Sequence, residues 1–316
     1  MAGARASERV GREGGEGGTR GNGTEERRRI QRSGRAEGVL RPEGSAGVPL
    51  TPSAVARSQE ARKPTLPGPP VSPWRRTVRY WISRIVVAGL TRGYLRVRLD
   101  GRERLPVGPA IYCFNHLGWA DPFVLMAVLP FRPRLWFFGP KEDDLRVGGR
   151  NRVMYWTGTA IPYKPAKNDL LETTRRVGAV LAAGGVVAIA GEGRIHPRES
   201  QLLPLSDGAA FFALRSGVSL VPVAINGTSW LRFGGRVRVT VGEPIPASGR
   251  ANRAATAELT DRLTGGLEAL VANAPDIPAP GRFGRWLTER FNDWPEGSRA
   301  AALATVEAYS NPSDRS

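Results

Sequence analysis

Between residues 95 and 241 one pattern keeps returning: a run of five or six mostly apolar residues, a turn, and then a stretch with helical spacing. The runs Leu95–Leu99, Ala110–Phe114, Arg134–Phe138, Val186–Ala190, Leu220–Ile225 and Val237–Val241 read as strands. Several are apolar without interruption, which suits strands covered on both faces, as parallel strands are. Helices are expected at Pro122–Leu129, at Asp169–Ala183 with Asn168 as N-cap and Gly184 just past the end, at Asp207–Ser216 followed by Gly217, and at Ala251–Ala272. Alternation of this kind specifies an α/β domain with a mixed, largely parallel sheet flanked by helices.

The flanks of that domain differ from it sharply. Residues 1–70 hold 13 Gly, 7 Pro and no aromatic residue, and Val, Ile, Leu and Phe together number only 8. Such a segment cannot bury a core and reads as a disordered tail, assigned to residues 1–72. It has no uninterrupted apolar stretch of the kind a secretory signal needs. From Trp74 to Arg98 there are seven Arg and no acid. Trp74, Val78, Trp81, Ile82, Ile85 and Val86 recur there at helical spacing, with Arg75, Arg76 and Arg79 off that face. The longest apolar run, Ile85 to Leu90, is far short of the ~20 residues that span a bilayer. Residues 73–95 are therefore expected to form an amphipathic helix in the membrane interface, with packing on the domain as the alternative. The α/β domain is assigned to 96–275. In 276–316 a second amphipathic helix is expected around Phe283, Trp286, Leu287, Phe291 and Trp294.

Charge and rare residues narrow the chemistry. The formal charge is +17, almost all of it Arg, since Lys occurs only at 63, 141, 164 and 167. Arginine clusters suit anionic oxygens, whether of nucleic acid, membrane or a phosphorylated substrate. One Cys and two His exclude a disulfide framework and a zinc module. No Gly-x-Ser-x-Gly elbow and no P-loop is present, which argues against a serine hydrolase or a nucleoside-triphosphate enzyme.

The stretch that carries chemistry is Cys113-Phe-Asn115-His116-Leu-Gly-Trp-Ala-Asp121-Pro122. An apolar strand ends in Asn-His, and a helix starts at Asp-Pro, with Asp121 suited to the N-cap and Pro122 to the first helical position. His116 then lies in the strand-to-helix loop. One Asp121 oxygen is free to cap the helix while the other accepts from the imidazole, which leaves the second ring nitrogen as a general base. A His and an Asp that merely finish a loop show the same spacing. Cys113 is either an acyl-accepting nucleophile or a buried structural thiol, and its apolar strand favours the thiol. His196 either touches a substrate phosphate or sits in an exposed loop.

Taken with its surroundings, the stretch resembles the first motif, Asn-His-x4-Asp, of the glycerolipid (lysophosphatidic acid-type) acyltransferases. The resemblance runs from about Leu99 to Ile245. It takes in Gly101-Arg-Glu-Arg-Leu-Pro106, Gly158-Thr-Ala-Ile-Pro-Tyr-Lys164, Gly191-Glu192-Gly193-Arg194, Leu220-Val-Pro-Val-Ala-Ile225 and Val241-Gly-Glu-Pro-Ile245. It implies acyl transfer from acyl-CoA or acyl carrier protein to the hydroxyl of a lipid precursor, with His116 as base and Asp121 orienting it. It also implies substrate binding by Lys164, Glu192, Gly193 and Arg194, with Arg198 a weaker candidate. No metal or bound cofactor is required, because the thioester is itself the activated group. The implied setting is phospholipid synthesis by a peripheral protein on the cytoplasmic face of the cell membrane, without specific nucleic acid.

Two departures from the family pattern bear on the acceptor. Lys164 stands where Arg is usual. Gly191 replaces a Pro, and Arg194 follows Gly193 directly, with Ile195 where the family's Arg would stand. Lys164 keeps a positive charge but lacks the guanidinium fork. A non-glycerol lyso-lipid or glycolipid acceptor is the alternative substrate. A non-catalytic basic protein that binds membranes or polyanions is the alternative class.

Overall fold

In the computed structural model the described residues are 66–141, 154–163, 170–294 and 296–310. The expected tail up to residue 65, Lys164, and the Asn168 cap lie outside them. Seven strands form one sheet: β1 Leu95–Asp100, β2 Ala110–Phe114, β3 Leu135–Lys141, β4 Ala160–Tyr163, β5 Val186–Ala190, β6 Ser219–Asn226 and β7 Gly235–Val241. Their order is β1-β7-β6-β2-β5-β3-β4, and all neighbours are parallel except β6 and β7. The sheet is thus mixed and largely parallel, as expected. β4 was missed, because Ala-Ile-Pro-Tyr is short and holds a Pro, the residue least suited to a strand. It pairs only with β3, at the sheet edge, where a Pro is tolerated.

Helices are α1 Pro73–Tyr94, α2 Asp121–Val128, α3 Leu170–Ala182, α4 Gly208–Ser216, α5 Arg253–Val271, α6 Arg282–Phe291 and α7 Arg299–Ser310. Successive strand side chains alternate between two cores. On one face Ala110, Tyr112 and Phe114 meet Val124, Leu125 and Met126 of α2, with Val87 and Tyr94 of α1 packed alongside. On the other Ile111 and Cys113 meet Val177 and Val180 of α3, Ala210 and Ala213 of α4, and Leu263 and Leu267 of α5. Every residue of β2 is buried, which explains its uninterrupted apolar run.

The periodicity in α1 picked out the face that points away from the domain. Tyr80, Ser83, Arg84 and Ala88 are the buried residues, while Trp74, Val78, Ile82, Ile85, Val86 and Leu90 are all exposed. Arg84, one of the seven arginines of this stretch, has no exposed surface. Its guanidinium donates to Leu129 O (2.6 Å) and Pro130 O (3.2 Å) and lies 4.8 Å from the Phe131 ring centre. Burial lowers its pKa. Trp81 is half-buried and stacks on Phe131. α6 repeats the arrangement: Gly284 and Thr288 face in, and Phe283, Trp286 and Phe291 are exposed. No helix among the described residues is long and apolar enough to cross a membrane.

Candidate active site

β2, β5 and β6 lie side by side and parallel, and the turns leaving their carboxyl ends begin at Asn115, Gly191 and Gly227. That end of a parallel sheet is where α/β folds gather ligand-binding loops. Asn115 is fully buried; its amide donates to Ile225 O (2.9 Å) and its oxygen accepts from Ile225 N (2.7 Å). The side chain thereby continues the β2–β6 pairing and fixes where the chain leaves the sheet. The next residue, His116, donates its backbone N–H to Glu192 Oε2 (2.7 Å), and its carbonyl accepts from His196 N (3.0 Å). The turns that begin at Asn115 and Gly191 are bound together at the histidine.

His116 Nδ1 stands 2.8 Å from Asp121 Oδ2. The same oxygen accepts from Leu117 N (2.8 Å) and Gly118 N (3.0 Å), while Oδ1 accepts from the Thr228 hydroxyl (2.5 Å). Asp121 has no exposed surface, so its carboxylate is enclosed by protein. An oxygen that already takes two backbone N–H groups meets the imidazole as an acceptor. Nδ1 therefore carries the ring proton, and Nε2 is the basic nitrogen. The arrangement differs in one respect from expectation. Asp121 is the first residue of α2, Ala120 is its N-cap, and the carboxylate makes no cap; it folds back onto the loop. The imidazole side chain is 20% exposed, enough for a reacting hydroxyl to reach the ring.

The other residues implied by the resemblance fare differently. Glu192 is enclosed: beside the His116 amide it accepts from Leu203 N (2.9 Å), and its side chain has no exposed surface. It braces the His116 backbone from behind. Gly193 has φ +67°, a left-handed turn, and its N–H donates to Ala190 O (3.1 Å), while Gly191 N donates to Phe114 O (3.0 Å). The Gly191 and Gly193 amides are thus occupied by protein carbonyls. Glycine at 191 also has a packing reason, since a Cβ there would lie 2.6 Å from Cys113 Sγ. Arg194 pairs with Glu296, and Arg198 with Asp276 and Glu307 (2.8 Å each). Ile195 is buried with Trp294 and Ala302. His196 is not in an exposed loop: it is 1% exposed, and its Nε2 lies 2.7 Å from Glu192 Oε1 without hydrogen-bond alignment. Cys113 is fully buried, and burial pushes its thiol above the ordinary range, which suits the structural reading.

Thr228, Glu199 and the contact of α6 with the histidine loop escaped the sequence reading. Thr228 lies 107 positions from Asp121 and belongs to no spacing pattern. Glu199 is fully buried and accepts from Gly227 N (2.8 Å) and Ser229 N (3.1 Å), holding the turn that presents Thr228. Burial raises its pKa, opposed by those hydrogen bonds, and the nearby Asp121 charge adds to the rise. α6 reaches the histidine loop through Trp119, whose N–H donates to Asn292 Oδ1 (2.8 Å) and whose indole donates to Leu287 O (3.1 Å).

A fully buried carboxylate thus orients a loop imidazole at the carboxyl end of the parallel strands, an arrangement able to move a proton. The family model described as Acyltransferase matches residues 96–226. A 1-acyl-sn-glycerol-3-phosphate acyltransferase of Chlamydomonas reinhardtii is 23% identical over 191 residues, 57% of this chain and 56% of that protein. A chloroplastic 1-acyl-sn-glycerol-3-phosphate acyltransferase of Arabidopsis thaliana is 23% identical over 190 residues, 56% of this chain and 51% of that protein. The chain thus spans about half the length of the curated relatives it matches. The crystal structure of the 1-acyl-sn-glycerophosphate (LPA) acyltransferase PlsC from Thermotoga maritima superposes with a TM-score of 0.49 at 17% identity, covering 64% of this chain and 83% of that one.

Proposed function

We propose that this chain transfers an acyl group from acyl-CoA or acyl carrier protein to the hydroxyl of a lysophospholipid, 1-acylglycerol-3-phosphate in the first instance. The observation that carries the reading is the 2.8 Å contact between His116 Nδ1 and a fully buried Asp121. His116 Nε2 takes the acceptor hydroxyl proton as that oxygen attacks the thioester carbonyl; the C–O bond forms, the C–S bond breaks, and the sulfur leaves and is released as a thiol. Asp121 holds the tautomer and stabilises the imidazolium that forms. Base catalysis of this kind contributes typically ~10²–10⁴-fold. The activated thioester supplies the driving force, so no cofactor enters the step.

A peripheral position on the cytoplasmic face of the membrane accompanies this reading. It is supported by the exposed apolar faces of α1 and α6 and the arginines beside them. A second acceptor class has a specific observation in its favour. Arg194 is engaged by Glu296, and a buried Ile195 stands where the family's cation would be. A non-glycerol lyso-lipid or glycolipid asks for no phosphate clamp at that turn.

The test is an acceptor screen with one acyl-CoA, read by free thiol. Faster release with lysophosphatidic acid than with an uncharged lyso-glycolipid supports the first acceptor, and the reverse order supports the second. No acceptor-dependent thiol from acyl-CoA or acyl carrier protein contradicts acyl transfer.

A further inference from the structure

The two faces of the sheet are covered unequally. α1 and α2 lie against the face that carries Val97, Val237 and Val239, whereas on the other face α5 packs along β6. Beyond α5 the outer surface of β1 and β7 is open, and alternation puts Arg96, Arg98, Arg236 and Arg238 on it, all exposed. The register sets Arg96 beside Arg236 and Arg98 beside Arg238. Neighbouring strands are about 4.8 Å apart, so these are two like-charge pairs at close quarters. Such pairs weaken a sheet.

One carboxylate answers them. Asp100 accepts from Arg98 Nε and Arg238 Nε, both at 2.6 Å, and these two bonds lower its pKa, the Arg238 bond most. Among the described residues no carboxylate pairs with Arg96, Arg236 or Arg232. All five arginines line a cleft of about 900 Å³ with Leu270 in its wall. Its one acidic lining residue, Asp276, is already engaged by Arg198.

We propose that this cleft binds a soluble small molecule carrying two or more phosphate groups. Guanidinium forks match phosphate oxygens, and three unanswered guanidinium groups call for more charge than a single carboxylate brings. The volume lies within the ~300–1,000 Å³ usual for small-molecule sites. The exposed apolar stripe of α1 belongs to the opposite side of the sheet, so a bilayer engaged there leaves the cleft facing water. His116 is not among the residues that line the cleft, and the proposal holds whether or not the acyl-transfer reading does.

The experiment uses the full chain, with tripolyphosphate as probe, in calorimetric titration and thermal melts at physiological salt. The double variant Arg96→Gln/Arg236→Gln removes one like-charge pair. Arg250→Gln/Arg253→Gln, just before and at the start of the 19-residue α5, whose Leu270 in the cleft wall is about 26 Å along the helix from Arg253, is the charge-matched control. Tripolyphosphate is expected to raise the melting temperature of the wild type and of the control. The double variant is expected to melt higher than wild type without ligand and to bind at least about tenfold more weakly. Arg96→Gln alone, on the edge strand β1, gives the same loss if the double variant does not fold. Equal weakening in variant and control means non-specific adsorption to a basic protein and overturns the site. So does undiminished binding by the variants, or binding of phosphatidic acid vesicles by a wild type that ignores tripolyphosphate.

Discussion

The histidine loop and the outer faces of α1 and α6 break the usual distribution of residues in opposite senses. Around Asp121 polar groups are buried, and nearly every one has a protein partner: Asn115 with Ile225, Asp121 with four donors, Glu192 with the His116 and Leu203 amides. On α1 and α6 large apolar side chains stand in the open, Leu90 at 70% and Trp74 at 64% exposure. Buried polar groups and exposed apolar patches are the two informative exceptions in a folded chain. A buried, satisfied network holds one geometry, which a proton-transferring pair needs. An exposed apolar face contributes nothing to the isolated fold and gains free energy only when something covers it.

That contrast gives each region its own test, largest effect first. Trp74→Ser, Ile85→Ser and Leu90→Ser together should leave the melting temperature within a few degrees of wild type. Vesicle co-sedimentation should fall by about 10²-fold or more, since each side chain is worth ~1.5–3 kcal/mol on full burial. Unchanged vesicle binding removes α1 as the anchor, and a large loss of stability makes its stripe part of the core.

Within the buried network, Thr228→Val keeps shape but leaves Asp121 Oδ1 without its donor, a cost of ~1–3 kcal/mol. A loss of about tenfold in kcat, a shifted acidic limb of the pH–rate profile and recovery in Thr228→Ser are expected. A stability loss with an unchanged pH profile reduces Thr228 to a packing residue.

The smallest effect concerns Glu199. Burial raises its pKa in the folded state, so its contribution to stability is fully present below the ordinary carboxylate range and is lost as pH rises through the raised value. Melting temperatures from pH 4 to 8 should show wild type losing ground to Glu199→Gln as pH rises. Parallel curves remove Glu199 as a titrating group.

How much of this was legible in the chain follows from the range of the interactions. β2 and β5 have the ends the apolar runs suggested, because each run is buried on both faces and bounded by turn residues. His116 and Asp121 were legible because one short loop holds both. Thr228 and Asn292 were not, since each reaches the loop across more than a hundred positions. Glu192 was found as a residue but its direction was not, as spacing says nothing of whether a carboxylate faces substrate or backbone. In α1 the helical period identified an apolar face correctly and said nothing of which side the domain would occupy. The buried side proved to be Tyr80, Ser83, Arg84 and Ala88, where Arg84 is held by the carbonyls of Leu129 and Pro130.

The most direct test of the His116–Asp121 pair is thiol release from acyl-CoA or acyl carrier protein under saturating acceptor, with wild type, His116→Ala and Asp121→Asn measured side by side and folding checked by melting. Both variants should melt as folded proteins and lose about 10²-fold or more in rate, the minimum typical of general base catalysis. A folded His116→Ala protein that keeps more than about a tenth of the wild-type rate contradicts the assignment of the base.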